Sequence, residues 1–315
     1  MTMTDAAEPA AAVARESVYR PEHPLDLVAT VGMLRRGGTD PTMVADRGRL
    51  WMAFRTDAGI ATLCLRQASD GVHAAAWGPG AGEALDQVPA LCGVDDDLSG
   101  FDVSSHPGLA EIARRHPGIR MARTGRVLDA LMCAILEQKV TGMQAFGAWR
   151  HLVSRFGQRA PGPTPRPMFA APPADVWRTI PSWVLHRAGV QPPQARTIIR
   201  SAARGASIHR AVLTASDGNA RDRILTSLPG IGPWTSAETR IRALGDADAV
   251  SVGDFHLAHE VGYALTGSRT DDVGMLALLE PWAGHRQRII RLIFAEGIPE
   301  PRRGPRLAPE DHRNR

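Results

Sequence analysis

The period of the hydrophobic pattern changes near residue 104. This limits the chain to a small mixed domain followed by an all-helical one. Over residues 19–103, RLWMAFR and GIATLCLRQ are short runs of β-favouring side chains, broken by TDAG, SDG and GPGAG turns. Residues 27–36 and 80–93 carry helical spacing, so the expectation here is a small α+β domain. Over residues 104–298 the apolar side chains recur at i, i+3, i+4 and i+7, in HPGLAEIARRHP, in TGRVLDALMCAILEQKVTGMQAFGAWRHLVSRFG and again in GMLALLEPWAGHRQRIIRLIFAEG. The Pro-rich stretch 158–173 reads as a loop dividing the helices. Residues 1–18, Ala-rich with few large apolar groups, read as a disordered arm, and residues 299–315 as a basic disordered tail.

Composition excludes several classes. The chain has 315 residues, 43% hydrophobic and 22% charged, which is ordinary for a globular protein and excludes a disordered chain, a collagen and a coiled coil. No apolar run approaches the roughly 18 residues of a membrane span, so no membrane partner is expected. The opening MTMTDAAEPAAAVARES carries acids and no apolar h-region, so the expected location is cytoplasmic. Cys64, Cys92 and Cys133 are scattered and form no CxxC pair, which excludes a disulfide framework, a four-cysteine zinc site and an iron–sulfur cluster. No oligomerisation seam stands out, and a monomer is expected. Net charge is +4, a weak pull towards polyanions. One of the 37 basic residues is lysine, Lys139, which makes it the only side chain able to form a Schiff base.

Two motifs carry chemistry. LPGIGPWTS, inside a helix–turn–helix at about 220–243, places Gly230 and Gly232 in a tight turn where positive φ is permitted. Ile231 between them would plug the turn into the core. The N-terminus of the second helix then presents open N–H groups to an anion such as a DNA phosphate. An ordinary helix–helix turn would look similar. Asp254 follows, after the Gly253 break in AVSVGDFHLAHEVG, at the start of a helix. It reads either as a helix cap or as a carboxylate held at the mouth of a cleft. His256, His259 and Glu260 admit a weaker metal-site reading, without HExxH order or a clear third ligand.

LPGIGPWTSA followed by VGDFHLAHEVG resembles the helix–hairpin–helix superfamily of DNA base-excision glycosylases, and within it the 3-methyladenine DNA glycosylase II family. ALMCAILEQKVTGMQA resembles the family's helix leading into its DNA-inserting loop, and LEPWAGHRQRIIRLIFAEG its C-terminal helix. Together with the β-rich N-terminal part the resemblance spans about 19–297. It implies a mainly α fold of two helical subdomains with a small N-terminal α+β sheet domain like half of a TATA-binding protein. It also implies a partner, double-stranded DNA containing damaged bases, and an activity, removal of alkylated bases of the 3-methyladenine type.

By this resemblance Asp254 is the catalytic carboxylate, stabilising positive charge on the sugar as an extruded base departs. Trp234, Trp282 and Phe255 match pocket aromatics that would hold a cationic base by cation–π attraction, with core packing as the alternative for each. Glu238 stands where some relatives carry an aromatic, and would either favour a cationic or amino-bearing base or pair with Arg240 or Arg242. Gly230, Ile231, Gly232 and Thr235 would meet DNA, as would Gln138, Lys139 and Val140 of the inserting loop. Lys139 stands at the wedge position, to fill the gap with its aliphatic stem, or is a plain exposed lysine. Bifunctional members carry a catalytic lysine where Trp234 stands, so a monofunctional enzyme leaving an abasic site is implied. No cofactor is required for the chemistry. The backbone carbonyls of Leu228 and Ile231 could hold a structural Na+ or K+. A non-catalytic damage-sensing protein built on the same hairpin is the competing reading.

Overall fold

The computed structural model describes residues 14–297. Five antiparallel strands, β1 (Arg15–Tyr19), β2 (Met43–Asp46), β3 (Arg49–Thr56), β4 (Gly59–Ala68) and β5 (Gly71–Trp77), form one sheet in the order β1-β5-β4-β3-β2. Helix α1 (Leu27–Val31), α2 (Ala81–Asp86) and α3 (Val88–Leu91) cover one face. Side chains alternate across a strand, so Leu50, Met52 and Phe54 of β3 point to this face and Trp51 and Ala53 to the other. Both sets are buried, which is why RLWMAFR reads as nearly continuous apolar sequence. The second face stacks Trp51 on Trp77, with ring centroids 5.6 Å apart, and is closed by Ala160 and Met168. The Pro-rich stretch is therefore a cover for the sheet as well as a break between helices. It pairs with itself through β6 (Gln158–Arg159) and β7 (Phe169–Ala170). The arm expected over residues 1–18 ends sooner: Arg15–Val18 belong to the edge strand β1, where the ladder to β5 satisfies their backbone groups. The rest of the arm, residues 1–13, and the tail over 299–315 lie outside the described residues.

The helices follow: α4 (Pro107–Arg115), α5 (Val127–Leu136), α6 (Gly142–Phe156), α7 (Ala174–Thr179), α8 (Ser182–Arg187), α9 (Pro192–Ala203), α10 (Gly205–Thr214), α11 (Gly218–Thr226), α12 (Pro233–Leu244), α13 (Leu257–Thr266), α14 (Asp272–Leu279) and α15 (Arg286–Glu296). They divide into two lobes with separate cores. Helices α5–α12 pack around α5, which is buried continuously from Ala130 to Leu136. Helix α4 joins α13–α15 around Leu109, Val261, Met275, Leu279 and Ile289. The chain starts the second lobe, builds the whole of the first, and returns to finish the second. The connection between α12 and α13 is the return crossing, and Asp254 lies at its end. A buried ion pair ties the sheet domain to α15, with Arg288 donating to both Asp96 oxygens at 2.8 and 2.6 Å.

Candidate active site

The hairpin is built by α11, the turn Leu228–Gly232 and α12. The Ile231 N–H donates to the Leu228 carbonyl at 3.0 Å and closes the turn. Gly230 has φ +95°, and a Cβ there would lie 2.2 Å from Thr197 Oγ1, so conformation and space both require glycine. Gly232 is extended, with φ −100° and ψ −179°, and a Cβ on it would meet open space. Positive φ is thus a property of one of the two glycines. Ile231 is 5% exposed and plugs the turn into the first lobe's core. Helix α12 begins on Pro233 with no side-chain cap, so the N–H groups of its first turn have no partner four residues back.

The turn expected to insert into DNA, residues 137–141 between α5 and α6, is fastened to this hairpin. The Gln138 amide donates to the Gly230 carbonyl at 2.9 Å and to Thr235 Oγ1 at 2.8 Å. Behind it the Gln194 amide donates to the carbonyls of Ile135, Leu136 and Gln138. The Gln194 role was missed in the sequence. Its signal was a polar side chain on the apolar face of α9. Lys139 is exposed at the tip with φ +53°, and Val140 beside it is half-buried.

Asp254 stands against the other side of the hairpin. Its Oδ1 accepts the backbone N–H groups of His256 at 2.9 Å and Leu257 at 3.0 Å, capping α13. Its Oδ2 accepts the Trp234 indole N–H at 3.1 Å. The cap and the carboxylate beside the hairpin are therefore one arrangement. This side-chain bond joins the first-lobe helix α12, which carries the hairpin's second arm, to the residue just ahead of the second-lobe helix α13.

No family model matches the sequence, and no curated protein matches it. Solved structures do. A 3-methyladenine DNA glycosylase from Archaeoglobus fulgidus superposes with a TM-score of 0.75 at 15% identity, over 90% of this chain and 99% of that one. MBOgg1 bound to a low-affinity DNA ligand gives 0.69 at 14%, over 90% and 98%. The apo 8-oxoguanine glycosylase/lyase of Clostridium acetobutylicum gives 0.69 at 11%, over 90% and 98%.

The chain has the helix–hairpin–helix DNA glycosylase fold.

On this fold the remaining expected residues separate. Trp282 is packed in the core. It is 7% exposed within the second lobe's core, its indole N–H donates to the Asp102 carbonyl at 2.9 Å, and its ring meets His106 edge-on. The Pro281 turn aims it inward, where burying a large aromatic is most favourable. Phe255 does not take the core-packing alternative. It is 74% exposed, with its ring against His256 at 4.8 Å, and forms an apolar lip beside Asp254. Glu238 resolves to pairing: it accepts from Arg242 at 3.0 Å and from Ser251 Oγ at 2.6 Å. Ser251 was not singled out in the sequence, since a serine in AVSV carries no distinguishing pattern. Arg240, the other possible partner of Glu238, pairs with Asp246 at 3.1 Å and the Gly218 carbonyl at 2.8 Å. Arg196, Arg200 and Arg223 are exposed.

The metal-site reading of His256, His259 and Glu260 finds no support. His259 Nδ1 pairs with the Thr270 carbonyl at 2.8 Å, and among the described residues no group of three His, Cys, Asp or Glu side chains could hold a metal ion. Among the same residues no helix is long and apolar enough to cross a membrane.

A second cavity-lining cluster lies where the sheet meets the helices. Arg36, Phe54, Arg126, Asp129 and Arg242 line a cavity of about 70 Å³. Burial holds the Arg126 guanidinium down to about 10, and the same burial raises the Asp129 carboxyl above the usual range against the pull of Arg126. The Arg126 guanidinium sits 4.2 Å above the Phe54 ring. Arg36 reaches from the sheet domain to Glu137 at 2.6 Å, at the foot of the inserting-loop turn.

Proposed function

We propose that the protein is a monofunctional DNA N-glycosylase that extrudes and excises alkylated bases of the 3-methyladenine type and leaves an abasic site. The observation that carries this reading is the Asp254 carboxylate, held by three N–H donors beside an uncapped helix start and a glycine turn. Such a turn with open N–H groups suits a DNA phosphate. A carboxylate fixed next to it suits a sugar that gains positive charge as the base leaves. The solved structures of the same fold are glycosylases or glycosylase/lyases by description, which supports the same class.

Within this reading Asp254 stabilises the oxocarbenium-like sugar, and the first turn of α12 grips the strand. Lys139 at the tip of its clamped turn enters the gap left by the base. Trp234 supports a hydrolytic outcome, because an indole cannot form the imine that a strand-cutting amine forms. An alkylated base already carries positive charge and leaves readily, so the scheme needs no strong general acid. Of the three expected aromatics only Trp234 lies against Asp254 without being core or fully exposed. No cofactor enters the chemistry. Leu228 and Ile231 carbonyls fit a structural monovalent cation: the Leu228 oxygen holds one intra-turn bond and keeps a lone pair for an ion.

The test is release of free base from methylated duplex DNA, with Asp254→Asn as control. Release by the wild type and none by the variant supports the reading. Tight DNA binding with no release would make the protein a non-catalytic sensor. A covalent DNA adduct trapped with borohydride would overturn monofunctionality.

A further inference from the structure

Trp234 presents two different chemical surfaces. Its ring face is electron-rich and suits a cationic base. Its ring edge carries the N–H that meets Asp254 Oδ2 at 3.1 Å. We infer that the edge is what the reaction uses: Trp234 is a positioning residue that sets the orientation of the Asp254 carboxylate, and acts on the rate of bond cleavage rather than on base recognition. The inference rests on the glycosylase reading above and deepens it.

The geometry argues as follows from the carboxylate outward. Two backbone N–H groups of the α13 start fix Oδ1. They hold the carboxylate plane from one edge only, about Cβ–Cγ, a torsion that is broad in aspartate. The Trp234 donor holds the plane from its other edge, at Oδ2, and so narrows that torsion. Trp234 can do so because its own backbone is rigid. Pro233 at the first helical position fixes φ, and Thr235, Ser236 and Ala237 immediately after it are buried. Thr235 is bonded to Gln138, and Ser236 Oγ to Asp222 at 2.6 Å. A neutral donor at this place orients the anion without neutralising it, which a lysine or arginine would do. The hydrogen bond also crosses between the two helical lobes, so the carboxylate is registered to the hairpin that grips the DNA.

The experiment compares wild type, Trp234→Phe and Trp234→3-benzothienylalanine in the full chain. The last keeps the bicyclic ring and its face and exchanges the N–H for sulfur, so folding and stacking persist. Single-turnover excision is followed on duplexes carrying cationic 7-methylguanine or neutral hypoxanthine, with maximal rate and half-saturating enzyme concentration determined separately. The expected result is a loss of roughly 10–100-fold in maximal rate for both variants. The loss is the same factor on every base the wild type releases, and half-saturation is unchanged. Wild-type rate in the benzothienyl variant overturns the proposal, as does a loss confined to the cationic base, which would assign Trp234 to stacking. If the wild type releases no base from either duplex or from methylated DNA, the glycosylase reading itself fails and takes this proposal with it.

Discussion

Two of the aspartates that stand near helix starts, Asp254 and Asp129, differ in what surrounds them. Asp254, at the junction of the two lobes, meets three N–H donors and stays partly open to solvent. Asp129, in the first turn of α5 at the seam with the sheet, is half-buried and lines the cavity there, with Arg126 as its main opposing charge and its carboxyl raised by desolvation. The first arrangement gives both carboxylate oxygens N–H donors and leaves the group open to a reacting centre. The second disfavours the anion. Both are aspartates close to a helix start, Asp254 just ahead of α13 and Asp129 inside the first turn of α5. Donors and desolvation distinguish a carboxylate fit for chemistry from one that serves the interior.

Exchanging each carboxylate for its amide sets the two sites against each other. Asp254→Asn has the largest expected effect, a loss of about 10²–10³-fold in single-turnover base release with duplex affinity retained. Base-release and fluorescence-anisotropy titrations measure the two halves, and full activity would move the catalytic role to another residue. Gly230→Ala comes next. Left-handed backbone costs about 1–2 kcal/mol for a residue with a Cβ, and the 2.2 Å approach to Thr197 adds to it. Thermal unfolding should fall by several degrees and DNA affinity should weaken with it.

A smaller effect separates exposed from paired arginine. Arg223→Ala should lower the log–log salt slope of DNA binding by about 0.9 if it meets one phosphate. Arg240→Ala should leave the slope unchanged and lower stability, because its guanidinium holds Asp246 and the Gly218 carbonyl.

The Asp129→Asn effect is the smallest and is read as a trend with pH. A raised folded-state pKa means the folded chain holds the proton more tightly than the unfolded one. Wild type therefore loses stability as pH rises from the ordinary carboxylate value through the raised one. The melting-temperature difference between Asp129→Asn and wild type should move in the variant's favour from about pH 3 to pH 7. A flat difference would mean that Asp129 does not titrate differently in the folded chain. Base release should be unaffected at either pH.

Much of the fold is written in local pattern. RLWMAFR and GIATLCLRQ became β3 and β4, because β-favouring runs between turn residues need only a neighbour to pair with. β1 and β5 were less legible. RESVY is exposed along most of its length and GVHAAAW has little β preference, and pairing of β5 to β4 and of β1 to β5 decides their state. The Pro-rich stretch gave no hint that Ala160 and Met168 close the second face of the sheet, since that contact depends on a long-range return of the chain.

At the site, the sequence by itself determined the glycine turn, the break before Asp254 and the uncapped start after Pro233. Each is set by backbone conformation within a few residues, where glycine and proline act regardless of distant neighbours. The tertiary structure alone decided which side chains share that site. It buried Trp282, left Phe255 exposed, tied Glu238 to Arg242 and Ser251, and turned the Trp234 N–H onto Asp254. Those outcomes follow from how the two lobes dock, and docking depends on summed packing of residues far apart in the chain, which no short window of sequence contains.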